Sequence, residues 1–279
     1  MKSKAIANSY DAIAKHYDAA YAAKTDLVDL PFYLDLARRS RGPILEIGCG
    51  TGRVLLPIAR EGIAIHGVDN SSAMLLVLKS RLAGEPVEVR KKVHLHKGDM
   101  RNFRIKKKFP LVIMPFRPLQ HMFTLKDQLS ALRSAAHHLE RKGILAFDVF
   151  FPKFEVISSG IGEEIQELEW RESGDPPKVV RRFFRKDSVD KIHQKFNFSF
   201  IFRTYQGEQL MREEFEPFAM SYYTYPHLQA VFQLVGLEIV NEYGSFSRLP
   251  LDNSAEQMIF LLTRRAAPRS RSSRLPRNY

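Results

Sequence analysis

Ile44-Leu45-Glu46-Ile47-Gly48-Cys49-Gly50-Thr51-Gly52-Arg53 is the stretch that decides the fold. Four residues of strand length carry one acid among three aliphatic side chains. A turn with glycine at every second position follows, and Arg53-Val54-Leu55-Leu56 opens a helical pattern. Glycines there remove Cβ atoms where the backbone turns and admits a ligand, and the start of a helix points free N–H groups at the same space. Because Glu46 stands two residues before the first glycine, the pattern is E-x-G-x-G-x-G and not the dinucleotide pattern G-x-G-x-x-G. A carboxylate at that strand end suits a cationic ligand. On these ten residues alone, a tight strand-to-helix turn without a ligand stays open as the alternative.

The stretch resembles motif I of the class I S-adenosylmethionine-dependent methyltransferases. That resemblance implies S-adenosylmethionine as cofactor, with Glu46, Gly48, Gly50 and Gly52 around it. Further along, Ile63-Ala64-Ile65-His66-Gly67-Val68-Asp69 reads as a second apolar strand ending in an acid. An acid at the end of a second strand accepts hydrogen bonds from both ribose hydroxyls of a nucleoside. Asn70-Ser71-Ser72-Ala73-Met74-Leu75 then caps and starts a helix, and D-x-S-x-x-M again resembles the family, which places Asn70 with the cofactor. An ordinary helix cap accounts for Ser71 but not for Asp69.

A third strand, Val93–Lys97, closes with Gly98-Asp99-Met100, which resembles the family's adenine site: Asp99 would accept the adenine amino group and Met100 would pack on the ring. An exposed turn acid is the alternative for Asp99. His94 and His96 alternate with apolar neighbours and read as sheet histidines, so no metal is expected.

The fourth strand, Phe109–Met114, runs into Pro115-Phe116-Arg117-Pro118-Leu119-Gln120-His121-Met122, where this fold carries its catalytic loop. Met114-Pro115-Phe116-Arg117 stands where enzymes that methylate exocyclic base or glutamine nitrogens carry Asn/Asp-Pro-Pro-aromatic, which argues against base amino-group methylation. Phe116 joins the implied cofactor set. Methyl transfer from a sulfonium is an in-line displacement that positioning and desolvation can drive, with a base needed only for a protonated nucleophile. His121 is the first candidate for that base, since neutral imidazole accepts a proton near pH 7. A structural loop histidine is the competing reading. Tyr17, Tyr222 and Tyr223 are candidates for shaping the acceptor pocket, and Asp148 ends the fifth strand at the crevice, with packing as the alternative for each.

Residues 5–23 show a helical stripe of Ile6, Tyr10, Ile13 and Tyr17, similar to the amino-terminal helix that covers the cofactor in this family. Tyr17 is assigned to the cofactor on that basis, with plain packing as the alternative. Strand, helix and strand repeat five times through the helix 125–139 and the strand Ile144–Val149, which requires a parallel sheet with a ligand crevice at the strands' carboxyl ends. From 152 to 225 the pattern turns to β alternation. Ile192, Phe196, Phe198, Phe200 and Phe202 face one way and His193, Lys195, Asn197, Ser199 and Arg203 the other, as in a half-exposed antiparallel strand. Turns are expected at 187–190 and 206–208. Helix His227–Val235 and strands Leu237–Tyr243 and Glu256–Thr263 follow.

The expected architecture is therefore α/β: a Rossmann-like seven-stranded sheet, its last strand antiparallel, with an inserted antiparallel β subdomain. Residues 1–151 and 226–264 form the cofactor-binding core, 152–225 a cap or lid, and 265–279 a basic tail. Such a lid resembles that of bacterial small-molecule methyltransferases, including sugar N-methyltransferases. At 279 residues and 44% hydrophobic side chains the chain has material for a buried core, and Cys49, its single cysteine, excludes an internal disulfide. No run approaches the ~18–20 apolar residues of a membrane span and no apolar leader is visible, so a cytoplasmic location without membrane contact is expected. Of the net charge of +12, six arginines between 264 and 277 supply half, so nucleic acid is disfavoured as a partner and the tail is expected to be disordered.

The expected function is methyl transfer from S-adenosylmethionine to an N or O nucleophile of a small-molecule acceptor. The rival readings are methylation of nucleic acid or protein guided by the tail, or a regulatory cofactor-binding module without turnover. Cys49 lies in the glycine turn, which argues against a cytosine-C5 enzyme. A homodimer is the other home for the aromatic stripe.

Overall fold

A computed structural model describes residues 28–265. Its first five strands are β1 (Ile44–Ile47), β2 (Ile65–Asp69), β3 (Val93–Lys97), β4 (Phe109–Met114) and β5 (Leu139–Phe150), and they pair in parallel. β1 is buried along its whole length, as a strand covered on both faces must be. Helices α1 (Asp29–Arg39), α2 (Leu55–Arg60), α3 (Ser72–Ala83), α4 (Val87–Arg90) and α5 (Leu125–His138) fill the connections. Between β3 and β4 the five-fold alternation fails: residues 98–108 form turns, not a helix. After β5 come α6 (Phe154–Ser158) and an antiparallel sheet of β6 (Glu164–Glu172), β7 (Lys178–Asp190), β8 (Lys195–Gln206) and β9 (Gln209–Ser221).

The chain returns through α7 (Tyr225–Val235), β10 (Leu237–Tyr243) and β11 (Gln257–Arg264). The order of the large sheet is β10-β11-β5-β4-β1-β2-β3, with β11 antiparallel to both neighbours. The last strand thus sits between the fifth and the sixth, as expected. Alternate strand residues feed two core layers. Leu45, Val112, Phe147 and Phe260 pack with Leu132 of α5 and Phe232 of α7 on one face, and Ile44, Ile113, Ala146 and Ile259 with Phe32 and Tyr33 of α1 and Leu55 of α2 on the other. Among the described residues no helix is long and apolar enough to cross a membrane.

The second sheet corrects three expectations. Residues 187–190 belong to β7, where the register shifts between Lys186 and Ser188, and the chain reverses at 191–194 instead, leaving Ile192 88% exposed in the turn. β8 is covered on both faces: Phe198 and Phe202 are buried on one, Ser199 and Ile201 on the other. On that second face Phe183, Ile201 and Phe215 form a cross-strand row, and the guanidinium groups of Arg203 and Arg185 stand 4.6 Å and 5.8 Å over Phe183 and Phe215. The aromatic face packs on Met74, Ala73 and Val77 of α3 as well as on Val180 and Phe218, so much of its cover comes from the helix that follows β2. The expected helix at 5–23, with Tyr17, and the arginine-rich stretch 266–279 lie outside the described residues.

Candidate active site

At the carboxyl ends of β1, β2 and β4 a cleft of about 400 Å³ is lined by Gly48, Gly50, Asp69, Asn70, Asp99, Met100, Phe116 and His121, among others. Eight of the expected site residues therefore meet in one place. Gly50 (φ 51°) has open space where a Cβ would stand, and its N–H donates to Asp69 Oδ2 at 2.8 Å. The other oxygen of Asp69 accepts from the Ser71 N–H, also at 2.8 Å. One carboxylate thereby joins the two turns, and each of its oxygens keeps acceptor capacity for a ligand hydroxyl. Ser71 caps α3 by accepting from the Met74 N–H at 3.0 Å.

Glu46 and Gly52 lie behind the cleft, not in its wall. A Cβ on Gly52 (φ 86°) would come 2.4 Å from Leu78 Cδ1, so glycine at 52 serves the packing of α3 on the turn. Glu46 is 2% exposed, and its Oε2 makes no hydrogen bond among the described residues. Burial pushes its carboxyl well above the ordinary value against the pull of Arg53. That arginine is committed elsewhere: its guanidinium is bidentate on buried Asp29, at 2.8 and 2.5 Å, and stands 5.0 Å over the Phe116 ring.

Asp99 is already engaged. Arg101 grips both of its carboxylate oxygens at 2.5–3.0 Å and reaches Asp127 at 2.9 Å, which holds the Asp99 carboxyl below its usual range. A ligand amino group at Asp99 must share it with that guanidinium. Arg101 stands two residues beyond the expected acid, which is the signal in the sequence that would have given it away.

Phe116 and Arg117 both adopt left-handed backbone conformations (φ 66° and 67°), bracketed by Pro115 and Pro118. Such geometry is strained for side chains of that size and persists only when neighbours enforce it. Asp148, 1% exposed at the end of β5, does so: its Oδ1 accepts the Phe116 N–H at 2.9 Å and the Tyr33 hydroxyl at 2.7 Å. Burial raises the Asp148 carboxyl even though Tyr33, Arg117 and the Phe116 amide favour its charge.

His121 hydrogen-bonds the backbone of Ala219 in β9, and burial lowers the ring to about 4. It is therefore neutral across the physiological range and a weak base. Tyr223 is 1% exposed with its hydroxyl 2.8 Å from Leu119 O and 2.9 Å from Met122 O, while Tyr222 lies edge-on to Phe154. Tyr223 thus braces the loop after β4 and Tyr222 packs on α6; neither is among the residues that line this cleft. At the other edge, His66 Nδ1 lies 3.0 Å from His96 Nε2 and His94 stacks on His66, a sheet arrangement apart from the cleft.

A second cavity, of about 650 Å³, opens on the other side of the 115–117 loop. Arg117 of the loop, Phe150 and Gln257 of the large sheet and Phe151 just beyond it line it with Phe184, Lys186 and Phe196 of the small sheet, and Ile157 and Ser159 close a wall. Phe116 faces the first cavity and Arg117 the second. Nothing in the spacing of these residues pointed to the second cavity, because it is assembled from elements more than 100 residues apart.

Residues 44–143 match a family described as a methyltransferase domain. These residues form a methyltransferase domain. Over 153 residues it is 31% identical to the dTDP-3-amino-3,4,6-trideoxy-alpha-D-glucopyranose N,N-dimethyltransferase of Streptomyces venezuelae, a match covering 53% of this chain and 58% of that protein. The chain thus spans little more than half the length of the curated relatives it matches. Among solved structures, the CcbJ methyltransferase from Streptomyces caelestis superposes with a TM-score of 0.74 at 22% identity, covering 91% of this chain and 96% of the other. S-adenosylmethionine-bound CalS10, an amino pentose methyltransferase from Micromonospora echinaspora, does so with 0.67 at 22% identity, covering 88% and 96%. These likenesses bear on the fold.

The cofactor of this methyltransferase domain is S-adenosylmethionine, and the site's own chemistry fits it. A buried glutamate oxygen with no hydrogen bond among the described residues lies behind the glycine turn, where a ligand ammonium would favour its charge. A carboxylate pinned by two backbone amides stands at the end of β2, where a ribose would present two hydroxyls.

Proposed function

We propose that this domain methylates the nitrogen of a small-molecule amine of the amino-sugar class, with the cofactor in the 400 Å³ cleft and the acceptor in the 650 Å³ cavity. The observation that carries the reading is the 115–117 loop, whose two consecutive residues Phe116 and Arg117 face one cavity each, so that donor and acceptor meet across a single strained turn. The names of the relatives, two of them N,N-dimethyltransferases of dTDP-amino sugars, favour nitrogen over oxygen.

When bound, S-adenosylmethionine supplies an electrophilic methyl group on a sulfonium. In this reading Asp69 takes the ribose hydroxyls, Glu46 lies near enough to favour the cationic end, and Met100 packs on the adenine ring while Asp99 shares its carboxylate between Arg101 and the amino group. Phe150, Phe184 and Phe196 exclude water around the acceptor. His121, anchored through Ala219, lines the donor cleft; with its ring lowered by burial to about 4 it is too weak a base to strip an ammonium near neutral pH. The amine therefore enters unprotonated, and alignment supplies most of the rate.

The test is transfer of a labelled methyl group to a panel of amino sugars and to the same sugars with hydroxyl in place of the amine. Labelled amines without labelled hydroxyl analogues are expected. Equal labelling of both series, or cofactor binding with no labelled amine, would overturn the assignment.

A further inference from the structure

The insertion leaves the large sheet after Phe150, the last residue of β5, and comes back after Ser221, the last residue of β9. Gln120, in the 3-10 turn Pro118–His121, touches both points. Its Oε1 accepts the Phe150 N–H at 3.1 Å and its Nε2 donates to Ser221 O at 2.7 Å. The side chain is fully buried. The amide orientation follows from the partners, since a backbone N–H only donates and a carbonyl only accepts. A residue at 120 must therefore offer one donor and one acceptor at the reach of glutamine.

We propose that Gln120 is the positioning residue that sets the small sheet, and with it the acceptor cavity, against the methyl donor. The cleft residues Pro118 and His121 belong to the same 3-10 turn, and its partner Phe150 lines the acceptor cavity. One buried amide thus fixes the exit strand, the return strand and the donor-side loop relative to one another. Other bonds brace the loop locally: Tyr223 to Leu119 and Met122, and the Ser221 hydroxyl to Met122 O. None of those reaches β5, and the bond that does, from the Phe116 N–H to Asp148, does not reach β9, so of these bonds it is the pair made by Gln120 that joins exit strand, return strand and loop at once. Removing the amide leaves a buried donor and a buried acceptor unpaired at the two hinge points, a state that favours rearrangement of those segments. The role in turnover rests on the proposed acceptor site, but the geometric role does not.

The experiment measures geometry and chemistry separately. Cys49 is the single cysteine and is buried, so spin labels introduced by Leu210→Cys on β9 and Val240→Cys on β10, both exposed positions, report the distance between the sheets cleanly. Gln120→Met should broaden the label–label distance distribution while S-adenosylmethionine affinity stays at the wild-type value. Turnover of an amine acceptor should fall in kcat by about 100-fold, as a misplacement of about 1 Å produces. Gln120→Asn keeps the amide but is one methylene short of spanning both bonds, and it should broaden the distribution as well; it decides the matter if the methionine variant does not fold. An unchanged distribution in the folded variants, or a loss of cofactor affinity alongside the broadening, overturns the proposal. A broadened distribution with no turnover of any amine, wild type included, would instead count against the acceptor reading and leave the positioning role standing.

Discussion

Replacing Glu46 by glutamine should make the ligand-free protein more stable and the cofactor-bound protein weaker. The carboxyl is 2% exposed, its Oε2 has no hydrogen bond among the described residues, and Arg53 is held in a bidentate pair with Asp29. Leaving a buried polar group unsatisfied costs about 1–3 kcal/mol. Glutamine leaves a polar amide in the same place, so that cost stays; what it removes is the cost of holding a buried acid at pH 7, about 1.4 kcal/mol for each unit by which burial raises the carboxyl, and for a chain of this size each kcal/mol raises Tm by about 2–4 °C. Losing a hydrogen bond between a carboxylate and an ammonium should cost binding about 1.5–3 kcal/mol, or roughly 10- to 150-fold in Kd. The pH dependence has a definite sign. Burial raises the folded-state value of Glu46, so the folded chain holds the proton more tightly than the unfolded one. Its contribution to stability is fully present below the unfolded value, about 4.3, and is lost as pH rises through the folded value. Thermal melts across pH, paired with calorimetric titration of S-adenosylmethionine, check both halves. A Glu46→Gln variant that melts lower than wild type at pH 7, or that binds the cofactor as tightly, would refute the reasoning.

Asp69→Ala should weaken S-adenosylmethionine binding by about 2–4 kcal/mol, because two hydrogen bonds to a charged acceptor go, and because the Gly50 and Ser71 amides lose the group that joins them; calorimetry measures this directly. Tyr33→Phe takes one of two observed donors from the buried Asp148 oxygen, so unfolding in denaturant should show a loss of about 1–3 kcal/mol with the fold retained. Lys186, 9% exposed, donates to Ser159 O at 2.8 Å and to Val156 O, tying the wall that α6 gives the acceptor cavity. Lys186→Met removes both charge-assisted hydrogen bonds and should therefore raise amide exchange in residues 156–162 by at least about tenfold, with cofactor affinity unchanged.

The large sheet was legible because its strands are short apolar runs closed by glycine or acid, and both core layers follow from simple alternation along them. β1, β3 and β4 begin and end where the sequence pattern put them, since Gly48, Gly98 and Pro115 stop them abruptly. The small sheet was legible as antiparallel but not in detail. Alternation in β8 suggested one wet face, yet Arg185 and Arg203 cover that face with their long stems, so a polar pattern concealed a buried one. In the cleft, Asp69 and Asn70 stood out because strand ends in this architecture are where ligands bind. Gly52 did not separate from Gly48 and Gly50 in the sequence, because a packing glycine and a ligand glycine share the same left-handed backbone. Gln120 and Asp148 were opaque as partners: their function lies in bonds to residues 30 to 115 positions away, to a backbone amide, a backbone carbonyl or a tyrosine hydroxyl.

Single-turnover transfer of an isotopically labelled methyl group from S-adenosylmethionine to a dTDP-amino sugar, followed by mass spectrometry of both products, tests the two-cavity arrangement most directly. The arrangement predicts N-methylated sugar and demethylated cofactor in equal amounts. It also predicts a drop in the sugar's kcat/KM with Arg117→Ala at unchanged cofactor affinity, because Arg117 faces the acceptor cavity alone. Binding of the cofactor without methylated sugar, or an Arg117→Ala variant that loses cofactor and acceptor together, would contradict it.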